Sequence, residues 1–331
     1  MLKRTVLLND DDAGLEQGAE MLRSGGLVAF PTETVFGLGA CAFNCRAVAG
    51  IFEAKGRPTF DPLIVHVAEP DHAYDLWDSC IASTRHLCDQ FWPGPLTIIN
   101  AKSEKVPDLV TAGLSSVAVR CPDHETAREL ITRSGMPVAA PSANRFGRIT
   151  PTTWEAVMEE LDGRIDAVIK GVTRIGLEST VVRPCGDELL ILRPGAVTCE
   201  ELRRVCPVVL TGGAEAKLHS PGHSSRHYAP TVPMRLFKTS GELSHLIHAS
   251  GVEISRIGVL LFCDEPVTEK CNVFFLSPEG DLRQAAARLF PALRFLESCS
   301  DLILAQVVPA TGLGEAINDR LNRASFRNTT D

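Results

Sequence analysis

Residues 27–39 read LVAFPTETVFGLG, an apolar stretch that runs into a proline and a group of hydroxyl side chains. The segment before it, LEQGAEMLRS at 15–24, has helical spacing and is stopped by Gly25 and Gly26. LVAF is then typical of a buried strand, and the polar residues after it stand where α/β proteins place ligand-binding loops. This order of helix, strand and polar loop predicts an α/β domain.

The same alternation continues over the first two thirds of the chain. Helical spacing predicts further helices near 45–55, 83–92, 123–134 and 152–161. In the last of these, Thr152 and Glu155 match a capping box with Thr152 as the N-cap. Strand-like apolar runs lie between the helices, at 62–67, 96–99, 117–120, 137–140, 166–169, 179–182 and 189–192. So many strands favour a mixed sheet over a purely parallel one.

The pattern changes after the last of these strands. Residues 211–232 are rich in Gly, Pro, Ser and His and show no sustained periodicity, which predicts an ordered linker. Beyond them, strands and helices alternate again up to the end of the chain. We therefore predict a larger α/β domain over 1–210, a linker over 211–232, and a smaller, Rossmann-like α/β domain over 233–331.

Composition restricts the class of protein. The chain has 331 residues with 33 basic and 41 acidic side chains, a formal charge of −8. This balance argues against binding nucleic acid through bulk positive charge. The 11 cysteines contain no CxxC pair, and no apolar run approaches the roughly 18 residues of a membrane span. We expect a reduced, cytoplasmic protein that does not contact a membrane.

Several common catalytic signatures are absent from the sequence. There is no P-loop, no GxGxxG turn, no HExxH and no GxSxG elbow. Gly312 and Gly314 stand between a predicted strand and a predicted helix, where a tight turn needs glycine whether or not a nucleotide binds.

Three histidines recur every four residues in the predicted linker: His219, His223 and His227. This spacing places side chains on one face of a helix and is typical of some metal sites. Pro221 and Gly222 lie inside the span and break such a helix, so we predict no metal ion held by the protein.

Two cations flank a glycine at the end of the predicted helix 45–55. Lys55 and Arg57 stand one residue apart, before a proline-containing turn. If that turn is held in place, both charges converge on one volume and suit a polyphosphate or the charge that develops in nucleotidyl transfer. The alternative is that they answer the helix macrodipole, as C-terminal cations commonly do. His66, in the strand that follows, has the alternative of a satisfied core histidine.

Polar residues follow other predicted strands. Ser142 and Asn144 come after strand 137–140, where a hydroxyl and an amide can bind phosphate or ribose without adding charge. The alternative is an ordinary polar turn before the next helix. Arg120 and Arg193 place further cations at strand ends.

In combination, these segments resemble the threonylcarbamoyl-AMP synthase family, whose catalytic domain is of the YrdC type. The signature of that family is a Lys-x-Arg followed far downstream by Ser-x-Asn, matched here by Lys55, Arg57, Ser142 and Asn144. The segments PTETVFGLG, GLESTVVRP and LRPG match the family as well. SPGHSSRHYAP at 220–230 resembles its interdomain linker, and TGLGEAINDRLNRAS at 311–325 resembles the end of its two-domain members.

The resemblance implies a fold and a reaction. The fold is a YrdC-like twisted mixed sheet followed by a smaller Rossmann-like domain. The reaction condenses ATP, L-threonine and bicarbonate into L-threonylcarbamoyl-AMP and releases pyrophosphate, with Mg²⁺ accompanying the ATP. A tRNA threonylcarbamoyl transferase complex then moves the group onto an adenosine next to the tRNA anticodon, and direct contact of this chain with tRNA stays open.

The resemblance also implies site residues. Those expected to bind ATP are Lys55, Arg57, Asp61, Ser142, Asn144, Arg193 and Tyr228, with Lys55 and Arg57 as the catalytic cations. Those expected to bind L-threonine are Thr32, His66, Arg120 and Ser179, with Arg120 as the partner of the carboxylate. No general base is evident.

The sequence departs from the family in two places. Asp61 stands where the family usually has Asn, which adds negative charge near the expected phosphates. In the linker, His223, Ser224 and Ser225 replace a Met-Lys-Tyr triplet.

Three alternatives stay open. A carbamoyltransferase that forms carbamoyl adenylate shares the fold, but it normally carries further catalytic domains that are not visible here. An RNA-binding module of the same fold is disfavoured by the charge of −8. A nucleotide-binding paralogue without turnover is consistent with Asp61 and the altered linker.

Overall fold

The computed structural model describes residues 4–206, 208–211 and 228–326. The chain divides into two compact units, each described here by itself. Of the described residues, 4–146, 150–174, 178–206 and 208–211 belong to the first unit, and 147–149, 175–177 and 228–326 belong to the second. Most of the predicted linker lies outside the described residues, including His219, His223, Ser224, Ser225 and His227.

The first unit alternates helices and strands, as the sequence predicts. Its helices are α1 (Asp12–Arg23), α2 (Cys45–Lys55), α3 (Ala82–Phe91), α4 (Asp108–Thr111), α5 (Glu125–Ser134), α6 (Trp154–Leu161) and α7 (Cys199–Val205). Its strands are β1 (Val6–Leu8), β2 (Val28–Phe30), β3 (Gly37–Cys41), β4 (Ile64–His66), β5 (Leu96–Ala101), β6 (Ser116–Arg120), β7 (Val138–Ala139), β8 (Ala167–Ile169), β9 (Thr180–Cys185), β10 (Glu188–Arg193) and β11 (Val208–Thr211). All 11 cysteines of the chain are free thiols.

The strands form a single mixed sheet. Their order is β1-β8-β2-β3-β7-β4-β6-β5-β9-β10-β11. The sheet contains both parallel neighbours, such as β4 and β6, and antiparallel neighbours, such as β7 and β4. The mixed sheet predicted from the sequence is therefore confirmed.

One face of the sheet, which we call the covered face, carries a continuous apolar core. Val65, Ile98 and Val119 lie opposite one another across three neighbouring strands and belong to this core. Helices α2, α3, α4, α6 and α7 all contribute buried side chains to it. Burying one such side chain stabilises the fold by about 1.5–3 kcal/mol, so this face holds the sheet together.

The opposite face, which we call the site face, has two separate apolar clusters. The first lies under α1 and α5 and contains Phe30 and Val138. The second consists of Ile64, Ile99, Ala118, Val181 and Leu192. Because side chains alternate along a strand, the residues two positions beyond Ile64 and Ala118, which are His66 and Arg120, share the site face. Polar side chains thus lie on the same face as the apolar clusters.

Strand β3 was not predicted, because the glycines of GLGAC lower its strand propensity. The structure gives the reason for one of them. A Cβ atom on Gly39 would lie 2.7 Å from Phe30 Cε1 and 2.8 Å from Val138 Cγ1. Glycine at this position therefore lets the buried Phe30 ring lie against β3.

The predicted N-cap of α6 was wrong by one residue. Thr153, not Thr152, is the cap, and its hydroxyl accepts a hydrogen bond from the Ala156 backbone N–H at 3.3 Å. Thr153 still pairs with Val172 in an isolated β-bridge, so the extended backbone continues one residue further than predicted.

The second unit is a smaller parallel α/β fold. It contains β12 (Met234–Phe237), α8 (Ser240–Ala249), β13 (Ile257–Leu261), β14 (Asn272–Phe275), α9 (Leu282–Cys299), β15 (Leu302–Gln306) and α10 (Leu313–Ser325). The strand order β12-β15-β13-β14 is parallel throughout. The predicted Rossmann-like alternation is therefore confirmed.

The turn into α10 explains the two glycines noted in the sequence. Gly312 has a φ of 53°, in the left-handed region. A Cβ atom on Gly314 would lie 1.8 Å from the carbonyl oxygen of Pro309. The left-handed backbone at Gly312 and the close approach of Pro309 at Gly314 are thus sufficient to require both glycines. Among the described residues, none of the helices has the length and apolar character to cross a membrane.

Candidate active site

Helix α2 brings Lys55 to its C-terminal end. The helix begins at Asn44, whose Oδ1 accepts hydrogen bonds from the backbone N–H groups of Arg46 and Ala47 at 3.1 and 3.2 Å. It ends because Gly56 adopts a left-handed conformation with a φ of 61°. The cap and the glycine fix where the Lys55 side chain starts.

The Lys55 ammonium is buried and holds the loop after β7. Its Nζ donates hydrogen bonds to the backbone carbonyls of Ser142 and Asn144, both at 2.5 Å. The Lys55 carbonyl in turn accepts a hydrogen bond from the Phe146 backbone N–H at 2.8 Å. Among the described residues, no carboxylate forms an ion pair with Lys55. The structure thus brings together three of the predicted ATP-binding residues.

The surroundings of Lys55 favour an anion. Burial lowers the pKa of Lys55 well below its usual value, and the positive charge of Arg57 lowers the pKa further. The more distant charges of Asp61 and Glu160 act in the opposite direction. An anion bound next to Nζ would stabilise the protonated form.

Arg57 is ion-paired with Asp61 four residues later. Arg57 Nη2 lies 2.8 Å from Asp61 Oδ1, and both side chains are buried. The guanidinium also donates hydrogen bonds to the carbonyls of Asp61 and Pro62, at 3.2 and 2.9 Å. The charge added by Asp61, which the sequence places near the expected phosphates, is therefore paired with Arg57.

The loop that carries Ser142 and Asn144 is held from several sides. Ser142 forms a β-bridge with Gly37, and the Asn144 amide donates to the Arg145 carbonyl at 2.8 Å. Arg145 Nε lies 3.1 Å from Glu160 of α6, a carboxylate that the protein buries. These contacts position the loop before any ligand binds.

The segment between β2 and β3 is a tight turn built on Thr32. The Thr32 hydroxyl donates to the Val35 carbonyl at 2.7 Å and accepts from the backbone N–H groups of Thr34 and Val35 at 3.2 Å. It also lies 2.8 Å from the Thr34 hydroxyl. Thr32 was predicted to bind L-threonine, and that role stays a prediction, but in the structure its hydroxyl stabilises the turn.

Arg120 is the side chain that this turn contacts. Its Nη1 donates to Thr34 Oγ1 at 2.9 Å, and its Nε donates to the Gly94 carbonyl at 3.2 Å. Its Nη2 lies 2.6 Å from Glu33 Oε1 in a buried ion pair. Sequence reasoning selected Arg120 but missed Glu33 and Thr34, since nothing local links residues separated by nearly ninety positions.

His66 lies beside Arg120 in the sheet and is neutral. The two residues are register partners at the ends of β4 and β6. Burial lowers the pKa of His66 to about 3, and the positive charge of Arg120 contributes to this shift. Among the described residues, His66 Nδ1 has no hydrogen-bond partner. A neutral imidazole can donate or accept a hydrogen bond without bringing a charge into the site.

Ser179 and Arg193 form a third group. Arg193 Nη2 donates to the carbonyl and the hydroxyl of Ser179 at 2.9 and 3.1 Å. The Ser179 hydroxyl also lies 2.7 Å from the Thr97 hydroxyl. Thr97 is fully buried and was missed by the sequence analysis, although it lies in the same strand that was predicted at 96–99.

Two short segments connect these groups. The turn between β2 and β3 leads to Gly37, which bridges to Ser142, and it also carries Thr34, which binds Arg120. Residues 94–97 contact Arg120 at one end and Ser179 at the other. The predicted strand-end residues do not share one edge, because β4 runs antiparallel to β7. They are instead linked by a chain of contacts.

Tyr228, predicted to bind ATP, lies in the second unit. It is fully buried and has a φ of 65°. Its ring stacks on Phe290 with centroids 5.6 Å apart, and the Arg320 guanidinium lies 5.3 Å from the ring centroid. Its role toward ATP stays a prediction.

Two family models together match most of the chain. Residues 20–195 match a model described as "Telomere recombination". Residues 197–325 match a model described as "Threonylcarbamoyl-AMP synthase, C-terminal domain".

Relatives are similar over nearly the whole length. The chain is 42% identical to a threonylcarbamoyl-AMP synthase of Bacillus subtilis, over 96% of this chain and 94% of that protein. It is 41% identical to one of Pyrococcus abyssi, over 93% of this chain and 92% of that protein. A crystal structure of P. abyssi Sua5 complexed with L-threonine matches it with a TM-score of 0.89 at 38% identity, covering 97% and 98% of the two chains.

Proposed function

Because this chain belongs to the threonylcarbamoyl-AMP synthase family, we propose that it condenses ATP, L-threonine and bicarbonate into L-threonylcarbamoyl-AMP. It is an enzyme that forms an adenylate. In the proposed reaction the threonine amine first attacks the carbon of bicarbonate; the C–N bond forms, a C–O bond breaks, and water leaves to give the carbamate. A carbamate oxygen then attacks the α-phosphorus of ATP, the bond to the β-phosphate breaks, and pyrophosphate leaves.

Buried cations support the nucleotide half of the proposal. We assign Lys55, Arg57 and Arg193 to the phosphates, because each is a basic side chain that is nearly inaccessible to solvent. In such surroundings a cation acts more strongly on developing negative charge than it would in water. The further assignments to ATP are Asp61, which sets the charge on Arg57, together with Ser142, Asn144 and Tyr228.

The Arg120 group supports the threonine half. We assign Arg120 to the α-carboxylate, and His66, Ser179 and Thr32 to the remainder of the amino acid. Thr34 is added to this set because it binds the Arg120 guanidinium directly. The enclosed position of these side chains would also exclude water, which destroys both the carbamate and the adenylate.

Mg²⁺ is proposed as a companion of ATP. Among the described residues there is no group of three or more His, Cys, Asp or Glu side chains that would hold a metal ion by itself. Magnesium is commonly held by substrate phosphates with one or two carboxylates, and Asp61 is the carboxylate within the proposed phosphate site. When bound, the ion supplies neutralisation of phosphate charge.

Downstream, we propose that the product serves a tRNA threonylcarbamoyl transferase complex, which modifies an adenosine next to the anticodon. An adenylate that water can destroy needs prompt transfer, so this proposal also places the chain in the cytoplasm, with the tRNA.

The observation that carries the proposal is Lys55, a buried ammonium whose hydrogen bonds go to neutral carbonyls. The test is release of pyrophosphate from ATP and Mg²⁺, with and without L-threonine and bicarbonate. We expect release to need both co-substrates and to fall about 100-fold or more in Lys55→Ala. The matched control is Lys105→Ala, since Lys105 is 64% exposed.

Three other results, from this assay with carbamoyl phosphate added and from separate ATP- and RNA-binding measurements, would replace the proposal. Release that depends on carbamoyl phosphate, and not on threonine, would indicate a carbamoyltransferase. ATP binding without threonine-dependent release would indicate a paralogue without turnover. Salt-dependent retention of RNA in place of either would indicate an RNA-binding module.

A further inference from the structure

Glu33 is a buried carboxylate to which the proposed reaction gives no role. Its side chain is 2% exposed, and its only ion pair among the described residues is the one with Arg120 at 2.6 Å. Neither of its oxygens accepts a hydrogen bond from another described residue. Buried carboxylates normally accept several hydrogen bonds, so this one has capacity for a further donor.

We propose that Glu33 binds the α-ammonium group of L-threonine while Arg120 binds the α-carboxylate. The inference rests on the proposed function, since it takes L-threonine as the ligand of Arg120. Glu33 and Arg120 then form a receptor for the zwitterionic end of a free amino acid.

Charge balance is the first argument. The Arg120–Glu33 pair has no net charge, and a zwitterion has none either. Binding of the zwitterion therefore leaves the buried site neutral. Its carboxylate adds a second negative charge next to Arg120, and its ammonium adds a second positive charge next to Glu33. A carboxylic acid without an ammonium would leave one buried negative charge in excess, which is costly in a medium of low dielectric constant.

The hydrogen-bonding capacity of the Arg120 guanidinium is the second argument. A guanidinium has five N–H groups, of which Nε is taken by Gly94 and one on Nη1 by Thr34. Nη2 forms an ion pair with Glu33 but no hydrogen bond, so at least one N–H on each terminal nitrogen is not used by a described residue. These two N–H groups suit a second carboxylate, and the carboxylate and ammonium of an α-amino acid are joined to the same carbon atom.

The rigid placement of Glu33 is the third argument. Its backbone carbonyl accepts a hydrogen bond from the Arg174 N–H at 3.1 Å. On either side of it, Thr32 and Thr34 are joined through their hydroxyls at 2.8 Å. The carboxylate is therefore presented from a fixed backbone, which reduces the entropy lost when a ligand binds.

The proposal defines the substrate class. The site is expected to accept α-amino acids with a free amine and to reject their N-acyl and deamino analogues. The site therefore recognises the α-amine, which is the group that the proposed reaction carboxylates.

The test is a binding cycle between protein and ligand, measured by calorimetry on the full chain without ATP. The ligands are L-threonine and (R)-3-hydroxybutyrate, which is threonine without its amine. We expect wild type to bind the deamino analogue about 10- to 100-fold more weakly than L-threonine. In Glu33→Gln this ratio should fall below about threefold. The analogue should bind the variant better than wild type, because Arg120 then lacks its internal carboxylate.

L-Threoninamide gives a second arm, since it keeps the ammonium and loses the carboxylate. It should bind Glu33→Gln more weakly than wild type, because a lone cation then meets an unpaired Arg120. Glu33→Asp keeps the charge and should restore discrimination against the deamino analogue in part. Glu297→Gln, which removes a largely buried carboxylate that pairs with Arg148 in the second unit, should leave the ratio unchanged.

The ratio is measured within one variant, so a lower content of folded protein does not alter it. An unchanged ratio in Glu33→Gln, with L-threonine still bound by wild type, would overturn the role of Glu33 and leave the proposed function standing. Failure of wild type to bind L-threonine would instead contradict the proposed function.

Discussion

Two arginine–carboxylate pairs are buried in the first unit to nearly the same extent, and they are built differently. Arg57 and Asp61 come from one turn, four residues apart, with side chains 4% and 3% exposed. Arg120 and Glu33 come from distant parts of the chain, with side chains 4% and 2% exposed. The first pair closes a local loop, whereas the second connects a strand to the turn between two others.

The difference teaches that equal burial does not mean equal function. Arg57 donates two further hydrogen bonds to carbonyls of its own turn, so its pair with Asp61 stabilises one loop. Arg120 and Glu33 join segments that also contact Ser142 and Gly94, so their pair links two parts of the site. Breaking a buried pair costs several kcal/mol in either place, but the consequences for ligands should differ.

The largest effect is expected from Arg120→Met. It leaves Glu33 as a buried charge without its partner, so the free energy of unfolding should fall by about 3–5 kcal/mol, and binding of L-threonine should be lost. Urea denaturation measures the free energy of unfolding, and calorimetry measures the binding of L-threonine. The control is Arg174→Met, whose pair with Asp123 is 61% and 60% exposed and should contribute about 0–1 kcal/mol. Equal losses in both variants would contradict the comparison.

Low pH should lower the free energy of unfolding through His66, which lies beside Arg120. The folded-state pKa of His66 is about 3, below the ordinary value of 6.5, so the unfolded chain binds the proton more readily. The stabilisation is complete above pH 6.5 and is lost as the pH falls toward 3, by up to about 1.4 kcal/mol per pH unit. Urea denaturation between pH 7 and pH 5 should show this slope.

A matched variant isolates that slope. His66→Asn should be flatter with pH than wild type, whereas His86→Asn, at an exposed position of α3, should keep the wild-type slope. If His66→Asn and wild type have the same slope, His66 is not the group that titrates.

Asp61→Asn should lower both stability and nucleotide affinity in the other pair. The amide still accepts a hydrogen bond but removes the negative charge opposite Arg57, so the free energy of unfolding should fall by about 1–3 kcal/mol. Because Asp61 is also the carboxylate proposed to hold the Mg²⁺ that accompanies ATP, the KM for ATP should rise. Pyrophosphate release measures the KM. Asp108→Asn, with a side chain 82% exposed, should change neither quantity. An unchanged or lower KM would show that Asp61 does not assist ATP binding.

The smallest effect is expected from Thr34→Val. It removes the hydrogen bond to Arg120 and the contact with the Thr32 hydroxyl but leaves Glu33 in place, so the free energy of unfolding should fall by about 1–2 kcal/mol and threonine binding should weaken. Thr84→Val removes one partly buried hydrogen bond, from the Asn100 amide, at 3.2 Å. That control should lose less stability and keep threonine binding unchanged. Unchanged binding in both would place Thr34 outside the site.

Local chemistry explains which parts of the fold and site were predictable. Helix α2 was predicted from its spacing and its terminal glycine, and Lys55 and Arg57 followed from a motif one turn long. The mixed sheet followed from the number of apolar runs. In each case the deciding interactions join residues close in sequence, or burial alone suffices.

The missed features depend on contacts between distant residues. Glu33 stood inside a quoted segment, but nothing there shows that Arg120 would neutralise it. Thr97 was hidden because a threonine in a strand is ordinary until Ser179 is placed 2.7 Å away. Strand β3 was not predicted because its glycines lower the strand propensity, and the reason for Gly39 is its contact with the Phe30 ring of the neighbouring strand.

Gly39 of strand β3 also limits which substitutions the protein can tolerate. In a scan of all single substitutions, every side chain at position 39 should be depleted, since even a methyl group would lie 2.7 Å from the Phe30 ring. Gly50 of α2 is the contrast, because its nearest neighbour, a Leu27 methyl, would lie 3.5 Å from a new Cβ, an ordinary contact distance. Alanine should therefore be tolerated at position 50, and related sequences should vary there while keeping glycine at 39.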